Sequence, residues 1–164
     1  MQKPSGCSKA VLLRVFSSAD DLKAAVGETL GASDWLAVTQ ERVNQFGAAT
    51  GDNQWIHVDV ERAQAESPFG GPIVHGYLTL SLLPMFGAQV YSIEGAKMGI
   101  NYGSNRVRFP APVPVGAQIR LLSTLTDVAD IKDGSLQLTV EQIVEIKDAP
   151  KPALVAEILS RVAF

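Results

Sequence analysis

The sequence predicts an α+β fold in which an antiparallel sheet curls around one central apolar helix. Three observations carry this expectation. The first half reads as capped helical segments, the second half alternates apolar and polar residues, and residues 68–93 between them contain no Asp, Glu, Lys or Arg. Helices followed by a run of antiparallel strands indicate α+β rather than alternating α/β architecture.

The elements follow in chain order. Residues 1 to about 10 are polar and read as a frayed end, with Cys7 a spectator within it. Residues 1–17 form an N-terminal extension with a first short strand, and 18–164 form one domain, since no internal repeat or linker is visible. A short helix is expected from Ser18 to Val26, with Ser18 as N-cap, Asp20 and Asp21 in its first turn and Gly27 ending it. Trp35–Val38 reads as a brief strand. Thr39 can cap a second helix whose Val43, Phe46 and Ala49 recur at a spacing of three and which stops at Gly51. Asp59 can cap a third, through Ala65. Val74 to Tyr91 is apolar all round, which suits a helix surrounded by other structure, and Pro84 should bend it.

After residue 95 the period changes to two. Leu136, Leu138, Val140, Val144 and Ile146 alternate with Gln137, Thr139, Glu141 and Glu145, and the pattern returns over 154–164 and, less cleanly, over 118–128. Asp133-Gly134 and Pro150-Lys151-Pro152 supply the turns. Near residue 100 the apolar phase is even (Met98, Ile100, Tyr102), but at Val107 and Phe109 it is odd. A one-residue change of phase requires a bulge, expected at Gly103-Ser104.

Composition narrows the function classes. A net charge of −3 and a pI near 5.3 disfavour general nucleic-acid binding. One cysteine excludes an internal disulfide framework and a cysteine-based metal cluster. The Val11-Leu12-Leu13 run is broken by Arg14 and is too short for a signal peptide. The charge-free stretch is long enough to span a membrane, but its glycines, prolines and polar residues, and the absence of basic flanks, favour a buried helix. A cytoplasmic protein without a membrane partner is the resulting expectation.

The segment Gly51-Asp52-Asn53-Gln54-Trp55-Ile56-His57 concentrates the chemistry. Five residues along an ideal helix leave two side chains roughly 140° apart, so Asp52 and His57 converge only if the chain turns between them. Asn53-Gln54 is suitable turn material. A converged carboxylate and imidazole can hold a water between them for acid/base work. The chain has two histidines, and the second lies in Gly70-Gly71-Pro72-Ile73-Val74-His75-Gly76, another glycine-rich stretch. Read residue by residue, Asp52 also suits a plain turn, His57 a satisfied structural histidine, and Gly76 ordinary punctuation at a helix start. His75 suits positioning of that start. No metal is implied, because the two histidines have few plausible co-ligands, and no dinucleotide fingerprint indicates a redox cofactor.

The Asp52–His57 segment resembles the signature of the MaoC-like, (R)-specific enoyl-CoA hydratases, approximately Gly-Asp-x-Asn-Pro-hydrophobic-His. Gly51, Asp52, Ile56 and His57 match; Gln54 and Trp55 replace the usual Asn and Pro, as in the nodulation-protein-N-like branch. Pro72-Ile73-Val74-His75-Gly76 resembles the start of the family's central helix, and Arg106-Val107-Arg108-Phe109-Pro110-Ala111-Pro112-Val113 the strand and turn after it. The resemblance covers about residues 18–164. It implies a hotdog fold, a homodimer, and reversible hydration of a trans-2-enoyl-CoA to the (R)-3-hydroxyacyl-CoA, with acyl-carrier-protein thioesters as an alternative carrier. It further implies Asp52 and His57 as the catalytic pair and the Gly76 N–H as donor to the thioester oxygen. Arg106 and Arg108 suit the phosphates of a CoA substrate, or a solvated strand edge. Lys97 is a weaker candidate, and Trp55 and Tyr77 suit either the core or the acyl pocket. A hotdog thioesterase and an inert acyl-thioester-binding subunit are the alternatives to a hydratase.

Overall fold

Local capping decides where the helices start. The computed structural model describes residues 13–164, so the expectations for the polar first residues and for Cys7 lie outside the described part. After a short strand, β1 (Arg14–Phe16), the Ser18 side chain accepts the Asp21 N–H at 3.1 Å and opens α1 (Ala19–Ala24). Two short strands follow, β2 (Thr29–Ala32) and β3 (Leu36–Ala37). Thr39 caps α2 (Gln40–Thr50), which ends at Gly51 in the left-handed region, φ 79°. The chain re-enters a helix at once, in the four-residue α3 (Trp55–Val58), and Asp59 caps α4 (Val60–Glu66) by accepting the Arg62 N–H at 3.0 Å.

The apolar stretch forms α5 (Gly76–Ser81) and α6 (Leu83–Val90), then β4 (Tyr91–Ile93). The break falls at Leu82, two residues before Pro84. A proline there can give no N–H to the Leu80 carbonyl, and its ring crowds that carbonyl. The helix begins at Gly76 rather than Val74, and it is not enclosed on every side. Leu78, Leu82, Phe86 and Val90 are buried, whereas Tyr77, Ser81, Pro84 and Met85 form an exposed stripe. Among the described residues no helix is long and apolar enough to cross a membrane.

Four long strands complete the chain: β5 (Met98–Arg108), β6 (Gln118–Asp130), β7 (Leu136–Ile146) and β8 (Leu154–Ala163). They assemble with β2 into one antiparallel sheet in the order β2-β6-β7-β8-β5, with β3 also pairing β6, while β1 and β4 make a separate parallel pair. Alternation is strict on β7 and on β6 as far as Leu125, where the β6–β7 register shifts: Ile119, Leu121 and Leu125, and Leu138, Val140 and Val144, face the helix and are almost wholly buried. An antiparallel sheet packed around a central apolar helix is the hotdog arrangement.

The bulge on β5 is more complex than the sequence suggests. Its pairing with β8 slips twice, between Asn101 and Gly103 and again between Ser104 and Arg106. The two slips cancel, so Gly99, Asn101, Ser104 and Val107 share the helix-facing side with Val162, Ser160, Ile158 and Ala156 of β8. Met98 and Ile100 therefore point away from the helix, and the even apolar phase marks an exposed outer face. Met98, Ile100 and Tyr102 are 53%, 47% and 59% exposed on this edge strand.

Candidate functional site

The turn required between Asp52 and His57 is made by leaving one helix and starting another. Gly51 ends α2, and Gln54 then serves as N-cap of α3 through its backbone, its carbonyl accepting the His57 N–H at 3.0 Å. Trp55 occupies the first helical position, where a proline would be favoured because no N–H is needed there. The indole lies against the Arg62 guanidinium, 4.4 Å from ring centroid to Cζ, and it does not line the cleft described below. The Gln54-Trp55 variation thus acts on the junction of α3 and α4. Earlier in α2, Gly47 is buried in the helix interior. A Cβ on it would stand 3.0 Å from the Asp52 carbonyl oxygen and 3.1 Å from Asn53 Oδ1, so the close approach of this loop to α2 leaves little room for a side chain there.

His57 is 7% exposed and its orientation is fixed by one short contact, Nδ1 to the Ile73 carbonyl oxygen at 2.6 Å. A carbonyl can only accept, so Nδ1 carries the proton and Nε2 of the neutral ring is left as an acceptor. Burial holds the His57 pKa below its usual 6.5; the Ile73 hydrogen bond opposes this, the neighbouring His75 adds to it and Asp52 weakly opposes it. His75, at the N-cap position of α5, is 1% exposed and stacks on His57 with ring centroids 3.9 Å apart and planes at 29°. The ligand-type atoms of Asp52, His57 and His75 all lie within 4.8 Å of one another. One water can bridge such a gap, since two hydrogen bonds of about 2.8 Å meeting near the tetrahedral angle reach about 4.6 Å. Stacked imidazoles direct their nitrogens side by side rather than at one point, which suits a metal ion poorly. That His75 joins the pair was not legible in its sequence position, because the contact depends on where α5 begins.

Asp52 is exposed and does not line the cleft, whereas His57 lines a cleft of about 330 Å³ with Phe69, Ile73, Val74, Gly76, Thr79 and Phe109 among its walls. Gly76 is the first residue of α5, and the His75 side chain provides no cap for that turn. A Cβ on Gly76 would stand 3.2 Å from the Phe109 ring, tighter than an ordinary contact, so the missing side chain eases packing within the chain. Phe109 is itself edge-packed by the exposed Tyr77, with centroids 6.2 Å apart. Arg106 and Arg108 are exposed on the outer side of β5, opposite Val107, and do not line the cleft; Arg108 donates to the Val107 carbonyl. Lys97 is tied to the chain end through its Nζ and the Phe164 carbonyl at 3.0 Å.

The fold and site together define a hotdog domain with a carboxylate and a buried neutral imidazole close to the start of its central helix, and comparison with known proteins narrows the class. The family model described as MaoC like domain matches residues 21–146, and the chain belongs to that family. It is 54% identical over 149 residues to 3-hydroxyacyl-thioester dehydratase Z of Mycobacterium tuberculosis, covering 91% of this chain and 98% of that protein. It is 41% identical over 145 residues to nodulation protein N of Rhizobium leguminosarum bv. viciae, covering 88% and 90%. Among solved structures, an Archaeoglobus monoamine oxidase regulatory protein superposes with a TM-score of 0.75 at 23% identity over 93% of this chain and 97% of that one, a likeness of fold.

The lowered His57 pKa has a signed consequence. Above 6.5 the ring is neutral in folded and unfolded chains alike; below it the unfolded chain takes up the proton first, so stability falls as pH drops through 6.5 towards the folded value. A histidine NMR titration should place the His57 midpoint below 6.5, with unfolding free energy declining over the same interval. A midpoint at or above that value would contradict the burial argument.

Proposed function

We propose that this chain catalyses reversible hydration of trans-2-enoyl thioesters to (R)-3-hydroxyacyl thioesters, acting on acyl-CoA or on the corresponding acyl-carrier-protein thioester. Membership of the MaoC-like family and 54% identity to a 3-hydroxyacyl-thioester dehydratase support hydration/dehydration of a thioester. The observation that carries the finer reading is a neutral His57 beside an apolar cleft, its Nδ1 committed to Ile73 and one of its ring nitrogens within 4.8 Å of the Asp52 carboxylate, a gap one water can bridge.

The chemistry follows from these groups. Conjugation with the thioester makes C3 electrophilic, but water is a weak nucleophile and the enolate is costly. Asp52 and His57 hold the water and take up its proton as the hydroxyl bonds to C3; the same proton is then delivered to C2 on the same face, restoring the thioester. Because the Nδ1 proton is committed to Ile73, His57 starts as an acceptor at Nε2 and acts as a relay. The Gly76 N–H, at the first position of α5, faces developing charge on the thioester oxygen, a contact whose loss typically costs about 3 kcal/mol of barrier. Arg106 and Arg108, outside the cleft on the strand that leads to Phe109, suit CoA phosphates at its mouth.

A homodimer fits the exposed apolar surface. Met98, Ile100 and Tyr102 lie along a sheet edge, and such an edge is usually covered or paired.

Three measurements test these readings. Loss of enoyl absorbance with crotonyl-CoA, followed by chiral analysis, should give the (R)-3-hydroxy thioester, and Asp52→Asn and His57→Gln should each lower kcat at least about 100-fold in a folded protein. Near-normal turnover in either variant would remove that residue, and free thiol release would indicate a thioesterase. Arg106→Ala or Arg108→Ala should raise KM for CoA substrates by about 3–10-fold with kcat retained; an unchanged KM would return both to surface charge. Light scattering should find a dimer that Ile100→Glu or Tyr102→Glu converts to monomer, and a monomeric wild type would refute the pairing.

A further inference from the structure

We propose that His75 is a positioning residue which, with the bare Cα of Gly47, clamps the backbone carbonyl of Asp52 and so sets the Asp52 carboxylate against His57. What that position is used for rests on the hydratase reading above; the clamp itself is read from geometry. His75 Nε2 stands 2.9 Å from the Asp52 carbonyl oxygen. That oxygen can only accept, so Nε2 carries the proton, and Nδ1, buried and without a partner, is left as the bare nitrogen. α2 also comes close to it, so that a Cβ at position 47 would meet the same oxygen at 3.0 Å, tighter than an ordinary contact. The donated hydrogen bond and the nearness of α2 together restrict where the carbonyl can stand.

The ring that donates is itself held. It lies between Phe46, 5.1 Å away centroid to centroid, and His57 at 3.9 Å. Phe46 and Gly47 are consecutive in α2, so one turn of that helix both backs the imidazole and walls the carbonyl. His75 thus touches both members of the pair, Asp52 through its main chain and His57 through its ring face. It is 1% exposed and does not line the cleft, so it acts through the pair and not on substrate.

The pair needs such a device because Asp52 is exposed, on a loop otherwise held by bonds within itself and to the end of α2, its own N–H to Thr50 Oγ1 at 3.4 Å and the Asn53 N–H to the Gly51 carbonyl at 3.1 Å. Displacement of a reacting group by about 1 Å can cost about 100-fold in rate. The same imidazole also opposes protonation of His57, keeping Nε2 available as an acceptor.

The test compares His75→Phe, His75→Gln and Gly47→Ala with crotonyl-CoA. His75→Phe keeps a stacked ring but no donor, and should lower kcat about tenfold or more with KM within about twofold. His75→Gln can present an amide N–H to the same carbonyl and should recover most of that loss. Gly47→Ala, which changes no polar group, should reproduce the kcat loss. Equal kcat in the Phe and Gln variants, or a change confined to KM, would overturn the proposal. Nitrogen-15 histidine spectra of the wild-type chain should show His75 protonated at Nε2, and Gly47→Ala should shift the Asp52 carbonyl resonance. An Nδ1–H tautomer, or an unmoved resonance, would overturn the clamp even if the His75 variants fail to fold. A wild type inert towards enoyl thioesters would instead sink the hydratase reading, and the two failures are distinguished because the spectra need no substrate.

Discussion

Pro72, Ile73 and Val74 are gripped from two sides by backbone hydrogen bonds, and the placement of the site depends on that grip. The Ile73 N–H donates to the Ile56 carbonyl at 3.0 Å, and the Ile73 carbonyl accepts from His57 Nδ1. From the other side, the Pro72 carbonyl accepts the Val115 N–H and the Val74 N–H donates to the Val113 carbonyl at 2.8 Å. Each bond is worth only about 1 kcal/mol net, but leaving any of these buried groups unpaired would cost more. The short segment therefore joins α3, which carries His57, to the chain entering β6. It also delivers Gly76 and His75 to the beginning of the central helix with little freedom. Helix start, cleft wall and imidazole orientation are consequences of one three-residue splice.

Much of this was readable before the structure because the signals were local. Ser18, Thr39 and Asp59 satisfy the first N–H groups of their helices whatever surrounds them, and Gly51 stops α2 because it alone adopts a positive φ cheaply. The alternation on β6 to β8 is legible because one face of each strand is buried. The misses have the opposite character. β2, β4 and the four-residue α3 are too short to show a period and exist through their neighbours: β2 by pairing with β6, β4 with β1. The apolar residues of α5 and α6 look alike whether they face the sheet, as Phe86 does, or solvent, as Met85 does. Periodicity could not divide them.

At the site, the Asp52–His57 motif and Gly76 stood out by spacing and resemblance; His75 stood out as the second histidine but suited positioning of the helix start, and Gly47 did not stand out. The part proposed for each lies in its distance to the Asp52 carbonyl, which directly follows Gly47's own helix and precedes His75 by two helices, and no pattern of types along the chain encodes that. Gly47 carries the one hint, a glycine inside an otherwise regular helix, which costs about 1 kcal/mol relative to alanine and so asks for a reason. The substituted Gln54-Trp55 pair also reads differently in three dimensions. Its bulk is taken up against Arg62, outside the cleft, and the cleft's aromatic walls are Phe69 and Phe109.

The paired slips of β5 bear on what changes of length the strand can absorb. Tyr102 and Asn105 are two one-residue insertions that restore each other's frame, and together they set Val107 on the inner side of the sheet, two residues before Phe109. Removing one of them alone would turn Val107 outward and bring an arginine into the core. A change of length between Asn101 and Arg106 keeps the inner face intact only if it comes in pairs, whereas replacing a side chain on the exposed face of β5 leaves that frame untouched.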